Sequence, residues 1–167
     1  MRVLRNIILA AFLMGTLSFT VNAEYSVGFA AGGTRGAGAT FRSLPEDTSW
    51  GWQVTGLPLV HPDGGVVSLG AQAVYVLHKS QTGMAYATLG GGTVAMWDNC
   101  TEEDSKDDIF CEDESNWGVG LGPGLGFELR MVDNLAFALD VPLAVLFVNE
   151  EFHGILPVPN LSLMYYW

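Results

Sequence analysis

The sequence predicts an all-β fold, an eight-stranded antiparallel transmembrane β-barrel over residues 24–167, preceded by a cleaved signal peptide over residues 1–23. Three observations predict it. The N-terminus carries the three parts of a secretory signal. The rest of the chain alternates large apolar residues with small or polar ones over stretches longer than an ordinary strand of about 5–6 residues. The last such stretch closes on an aromatic residue, Trp167.

Composition agrees with a surface that does not face water everywhere. Of 167 residues, 49% are hydrophobic and 15% charged, with 21 glycines and a net charge of −11. A soluble domain carries about a quarter of charged residues. In the signal, Arg2 and Arg5 form the positive region, Ile7 to Leu17 the apolar run, and Val21, Asn22 and Ala23 the small-residue cleavage site. Gly15, Thr16 and Ser18 interrupt the run, which falls short of the roughly 20 apolar residues of a spanning helix. Cleavage after Ala23 removes both arginines and takes the net charge from −11 to −13. Such an acidic chain argues against nucleic acid as a partner, because phosphate contacts need Lys and Arg.

Beyond the signal, strands are expected at 25–33, 36–44, 50–60, 66–79, 84–97, 117–130, 135–148 and 154–167. In the first, Tyr25 fits an interfacial ring. Gly32 to Gly36 is read as a hairpin loop, because a continuous strand would make seven strands and leave the two chain ends on opposite sides. Trp50, Trp52 and Val54 share one phase and fit an outward face with aromatic residues at an interface, as do Tyr75, Tyr86 and Tyr165 on their own strands. From Trp117 to Met131 the odd positions are apolar, whereas the even ones are Gly118, Gly120, Gly122, Gly124, Gly126, Glu128 and Arg130. Leu135, Phe137, Leu139, Val141, Leu143, Val145 and Phe147 repeat the pattern opposite Ala136, Ala138, Asp140, Pro142 and Ala144. A row of glycines beside a few charges suits the interior of a barrel of about eight strands, where side chains just fill the lumen. Eight strands put the long connection from Asp98 to Asn116 and the Asn149 to Glu151 connection outside. The short Val132, Asp133, Asn134 turn falls on the periplasmic side.

At the end of the chain, Leu161, Leu163, Tyr165 and Trp167 alternate with Ser162, Met164 and Tyr166. Here the sequence resembles the C-terminal strand of bacterial outer-membrane barrels, in which the final residue is more often Phe. At the level of pattern, residues 24–167 resemble the small eight-stranded barrels of the OmpA and OmpX type, without a periplasmic domain. The resemblance implies a location in the cell outer membrane and lipid as the surrounding partner. It also implies recognition of Tyr165 and Trp167 by the barrel-assembly machinery.

Candidate site residues fall into three groups. Cys100 and Cys111, the only cysteines, lie in one exported segment and are expected to form a disulfide. On the chain-entropy model such a bridge contributes about 3 kcal/mol. The same segment carries Glu102, Glu103, Asp104, Asp107 and Asp108, a self-repelling solvated loop or a place for a divalent cation, although the spacing matches no EF-hand. No metal site is assigned. The third group is luminal: Arg42, Gln53, Thr55, Gln72, Glu128, Arg130, Asp140 and Asn160 fall on the inward phase. Arg42, Glu128, Arg130 and Asp140 are expected to pair within a narrow lumen, since buried ions need partners.

No catalytic residue and no cofactor is expected. Barrels that deacylate lipid A place a His and a Ser two residues apart, whereas His153 is followed by Gly154 and Ile155, and His61 and His78 lack a suitable serine. The leading expectation is therefore a structural or surface-interaction barrel whose acidic outer loops meet extracellular ligands or divalent cations. A narrow channel for ions or small solutes is the alternative. A secreted soluble barrel that binds an apolar ligand is the third, and the outward-apolar polarity argues against it.

Overall fold

The computed structural model describes residues 23–32, 34–61, 64–98, 115–149 and 151–167. The described residues form nine strand segments: β1 (Ala23–Gly32), β2 (Gly38–Pro45), β3 (Trp50–His61), β4 (Gly64–Lys79), β5 (Gly83–Asp98), β6 (Ser115–Val132), β7 (Leu135–Val148), β8 (Glu151–Pro157) and β9 (Asn160–Tyr166). From β1 to β7 each pairs antiparallel with the next, and β9 closes the ring by pairing with both β7 and β1.

β8 and β9 together make one wall strand, so the barrel has eight. β8 continues the ladder of β7 from Leu143↔Pro157 to Val148↔Glu151, and β9 takes over at Asp140↔Asn160. The final strand expected at 154–167 therefore begins earlier, at Glu151, and is interrupted at Val158 and Pro159. Proline lacks an N–H for the ladder, and the Val158 N–H donates instead to the Pro142 carbonyl at 3.1 Å. With eight walls both chain ends reach the same rim, where the Trp167 N–H donates to the Tyr25 carbonyl at 3.2 Å.

The period-two pattern is realised as inside and outside. Along β7 and β9 burial alternates residue by residue, with Ala136, Ala138, Asp140, Ser162, Met164 and Tyr166 inside. The expected hairpin between the first two strands is present. Its turn depends on Gly36 at φ +82° and Gly38 at φ +121°, values that L side chains rarely adopt.

The wall is uneven in height. β6 has 18 residues and β1 has 10. At about 3.3 Å per residue and a tilt of about 40°, β6 rises roughly 45 Å and β1 roughly 25 Å. Pairing of β2 with β3 stops at Ala39↔Gly56, so Leu57 to His61 pair with β4 alone, and β8 pairs with β7 alone. The short β1–β2 hairpin thus leaves a gap in the upper wall between the free edges of β3 and β8.

Candidate functional site

The lumen is filled by two stacked ion pairs, each held by groups from several strands. The lower one joins Arg42 on β2 to Glu128 on β6, with Nη1 donating to Oε2 at 2.6 Å. Arg42 Nε donates to Gln53 Oε1 at 2.8 Å, and the Tyr166 hydroxyl donates to Glu128 at 2.8–2.9 Å. Arg42 also lies 5.2 Å from the centre of the Tyr86 ring, a cation–π contact. Arg42 is 0% and Glu128 1% exposed. Two ions so enclosed are tolerated only because each meets the other and further hydrogen bonds. Around them Leu44, Val74, Met84, Tyr86, Ala136, Met164 and Tyr166 pack as an apolar cluster in the interior.

The upper pair involves a residue that the alternation does not single out. The hairpin loop after β1 turns into the barrel and carries Arg35 with it, 5% exposed. Its Nη1 donates to Asp140 Oδ2 at 2.9 Å, to Thr88 Oγ1 at 2.5 Å and to Gln72 Oε1, and Nη2 donates to the Gly122 carbonyl at 3.3 Å. Asn160 Nδ2 donates to the same Asp140 oxygen at 3.3 Å. The loop backbone is tied down where the Ala37 N–H donates to Ser68 Oγ at 2.9 Å.

The glycine rows make room for this loop. A Cβ on Gly70 would lie 1.8 Å from the Arg35 carbonyl oxygen, one on Gly120 2.9 Å from Thr34 Cβ, and one on Gly124 2.9 Å from Arg35 Nη2. A Cβ on Gly126 would lie 2.1 Å from the Tyr86 ring. Glycines on β4 and β6 thus form the socket that receives the loop, and Gly126 receives Tyr86. A cue existed in the sequence, since glycines on the inward phase announce that something else occupies the lumen, but nothing in the pattern names Arg35.

Two expectations are corrected. Arg130 does not join the luminal network with Glu128 and Asp140. It sits one row nearer the rim of the chain ends, 25% exposed, where it pairs with Glu24 and lies 5.1 Å over the Tyr166 ring. Glu24 also accepts from Lys79, so the rim has its own three-residue cluster. Tyr86 does not belong to an outer aromatic ring. It shares the inward phase of Met84 and Thr88 and is 0% exposed. Gln53, Thr55, Gln72 and Asn160 are buried at 5–6%. Cys100, Cys111 and the acidic residues Glu102, Glu103, Asp104, Asp107 and Asp108 lie outside the described residues, as does the signal through residue 22.

Outside, the polarity is the reverse of a soluble protein. Phe29, Leu89, Leu121, Leu125, Phe127 and Leu143 are 51–72% exposed on the outer face. Aromatic rings crowd both margins: Tyr25 with Phe41, Trp52 and Trp167 at the rim of the chain ends, and Phe147 with Phe152 at the other. An even-numbered barrel, closed from the rim of the chain ends to the level of Gly32, with an apolar outer band, aromatic margins and a polar interior, suits a lipid bilayer, because the backbone groups of that closed part are satisfied within the wall. The chain is a membrane-spanning β-barrel of the outer-membrane kind. Barrels of this build span outer membranes, which is the location the architecture gives.

No protein-family model matches this barrel, and no curated protein matches it. Among solved structures it is similar to the N-terminal β-barrel domain of Pseudomonas aeruginosa OprF, at 10% identity and a TM-score of 0.48 over 87% of this chain and 96% of that one. It is also similar to Ail, the attachment invasion locus protein of Yersinia pestis, at 16% identity and a TM-score of 0.47 over 87% of this chain and 99% of that one. Neisserial surface protein A is similar at 16% identity and a TM-score of 0.31 over 86% of this chain and 91% of that one. With TM-scores under 0.5 these likenesses carry no weight of their own, and the membrane-barrel conclusion rests on closure and polarity.

Proposed function

We propose that the barrel is a non-conducting outer-membrane scaffold whose role is structural or one of surface interaction, carried by its outward segments. The inward-folded loop supports this reading. Arg35 and Asp140 meet across the lumen at 2.9 Å, above a second pair, Arg42 and Glu128, at 2.6 Å. An ion crossing the barrel would have to break both pairs, each desolvated and each costing several kcal/mol to open. The acidic segment around Glu102, Glu103, Asp104, Asp107 and Asp108 is the proposed contact for extracellular ligands or divalent cations. Tyr165 and Trp167 form the proposed assembly signal.

Single-channel recording in planar bilayers tests the scaffold. Wild-type protein is expected to give no stepwise conductance, and Arg35→Ala at most brief, small openings. Regular unitary steps from the wild type would sink the scaffold and support the narrow channel. Protease digestion with and without calcium tests the acidic segment, and identical digestion patterns would end the cation assignment.

A further inference from the structure

The inner face of the barrel changes character above the Arg35 loop. Leu57 pairs with Ser68 at the level of the loop, and above it strand pairing places Leu59 opposite Val66, Val66 opposite Met96, and Val94 opposite Gly118. Gly118 is paired with Val148, Gly120 with Leu146, and Leu156 with Ala144. Residues paired across a ladder point to the same side, and this side is the one that carries buried Gln53, Gln72 and Asp140 lower down. Above the plug, then, the luminal face is aliphatic and glycine-lined, and it is open: Leu59 is 58%, Met96 49%, Leu156 47% and Val148 39% exposed. An open recess of about 430 Å³ at the β3–β4 tip is lined by inward Leu59, Val66 and Met96 and by outward Val60 and Gly65. His61, Asn116 and Glu151 share that phase at the rim, so the aliphatic face ends in polar groups.

A lumen filled with water would favour polar side chains here. What this face fits is determined by the gap in the wall. From Tyr25 at the aromatic margin, β1 reaches Gly32 after seven further residues, roughly 18 Å along the barrel axis at about 3.3 Å rise and 40° tilt. The apolar band of such barrels is about 25 Å tall, so the wall opens inside the band. On either side of the opening the outer face stays apolar, with Val60 70% and Ile155 64% exposed. The lipid-facing exterior is therefore continuous, through the gap between β3 and β8, with the aliphatic upper lumen.

We propose that the upper lumen is a lateral cup for one acyl chain of a membrane lipid, which enters between β3 and β8 and rests on the Arg35 loop. The headgroup stays at the polar rim beside His61 and Glu151. The inference rests on the membrane-spanning reading, and the test separates the two.

The experiment uses the barrel in nanodiscs of phosphatidylethanolamine and phosphatidylglycerol, deuterated except for labelled Leu, Val and Met methyl groups, with cross-relaxation read from the lipid chain methylenes. Outward Leu125, Leu129 and Leu163 should contact chain protons, which checks that the barrel spans. Val94, Met96 and Leu146 should contact chain protons as well, despite facing inward. In Gly118→Phe the inward contacts should be lost while the outward ones persist, since a Cβ there meets only ordinary contacts at 3.6–3.7 Å and the new ring fills the cup. Wild-type contacts confined to outward methyls, or inward methyls that contact water, the 99–114 segment or a second copy instead, would overturn the cup while leaving the membrane barrel intact. Absence of contact at the outward methyls would overturn both.

Discussion

Breaking the lower ion pair from one side should cost far more than removing it whole. Arg42→Met leaves the Glu128 carboxylate, 1% exposed, facing the Tyr166 hydroxyl with its cation gone. Glu128→Gln leaves the Arg42 guanidinium, 0% exposed, with no anion in contact. Each single change strands a buried charge and is expected to cost about 3–5 kcal/mol. The double variant strands none: the new amide oxygen at position 128 still accepts from Tyr166, and the new thioether at position 42 packs into the apolar cluster with Met84 and Met164. It should lie within about 1–2 kcal/mol of wild type, giving a coupling energy of several kcal/mol. The assay is denaturant unfolding of the barrel in vesicles, followed by tryptophan fluorescence and by the mobility of unboiled samples on a denaturing gel. Single variants that each cost under about 1 kcal/mol, or a double variant as unstable as the sum of the singles, would refute the enclosed pair.

Crowding, rim charge and the cysteines supply three more tests. Gly126→Val should destabilise by about 1–3 kcal/mol through overpacking, because its Cβ falls 2.1 Å from the Tyr86 ring; the same gel assay checks it, and the companion Tyr86→Ala should relieve it. Glu24→Gln should shift stability by less than about 1 kcal/mol, since Lys79 and Arg130 at the rim are 46% and 25% exposed; equilibrium unfolding at low and high salt checks it. Cys100 and Cys111 should resist maleimide in denaturant and react twice after reduction, read by mass spectrometry, and two labels before reduction would exclude the bridge.

The wall was legible because its rule is local. Seven outward residues from Leu135 to Phe147 at period two need only apolar surroundings on one side and a crowded interior on the other to make sense, and parity then decided the hairpin at Gly36 and the count of eight. The lumen was legible only where it obeys that same rule. Arg42, Glu128 and Asp140 lie on strands and took their inward places, but Arg35 lies in a turn, where no period assigns a face. Arg130 is in phase with Glu128, yet phase does not measure depth, and at the rim Glu24 is the nearer carboxylate. Residue type points Tyr86 outward, whereas Ala85 and Ala87 occupy the outer phase on either side of it.

The placement of charge follows from how completely each level of the barrel is enclosed. Arg42, Glu128, Arg35 and Asp140 sit where the wall is paired all the way round, so that each charged group meets its counter-ion and further hydrogen-bond partners from several strands. Above Gly32 the ring is incomplete and the same inward phase turns to Leu57, Val66, Val94 and Leu146, which need no partners. A water-filled mouth would call for the opposite order, with ions toward the opening and aliphatic groups toward the closed base. The order observed suits a barrel whose base is a sealed, polar-locked plug and whose open side meets lipid, and it ties the height of β1 to the chemistry of the upper lumen. Lengthening the β1–β2 hairpin by two residues on each strand would extend pairing toward Leu57 and Pro157 and narrow the acyl chain's entry, leaving the Arg42–Glu128 pair in place while lifting the loop that carries Arg35 away from Asp140.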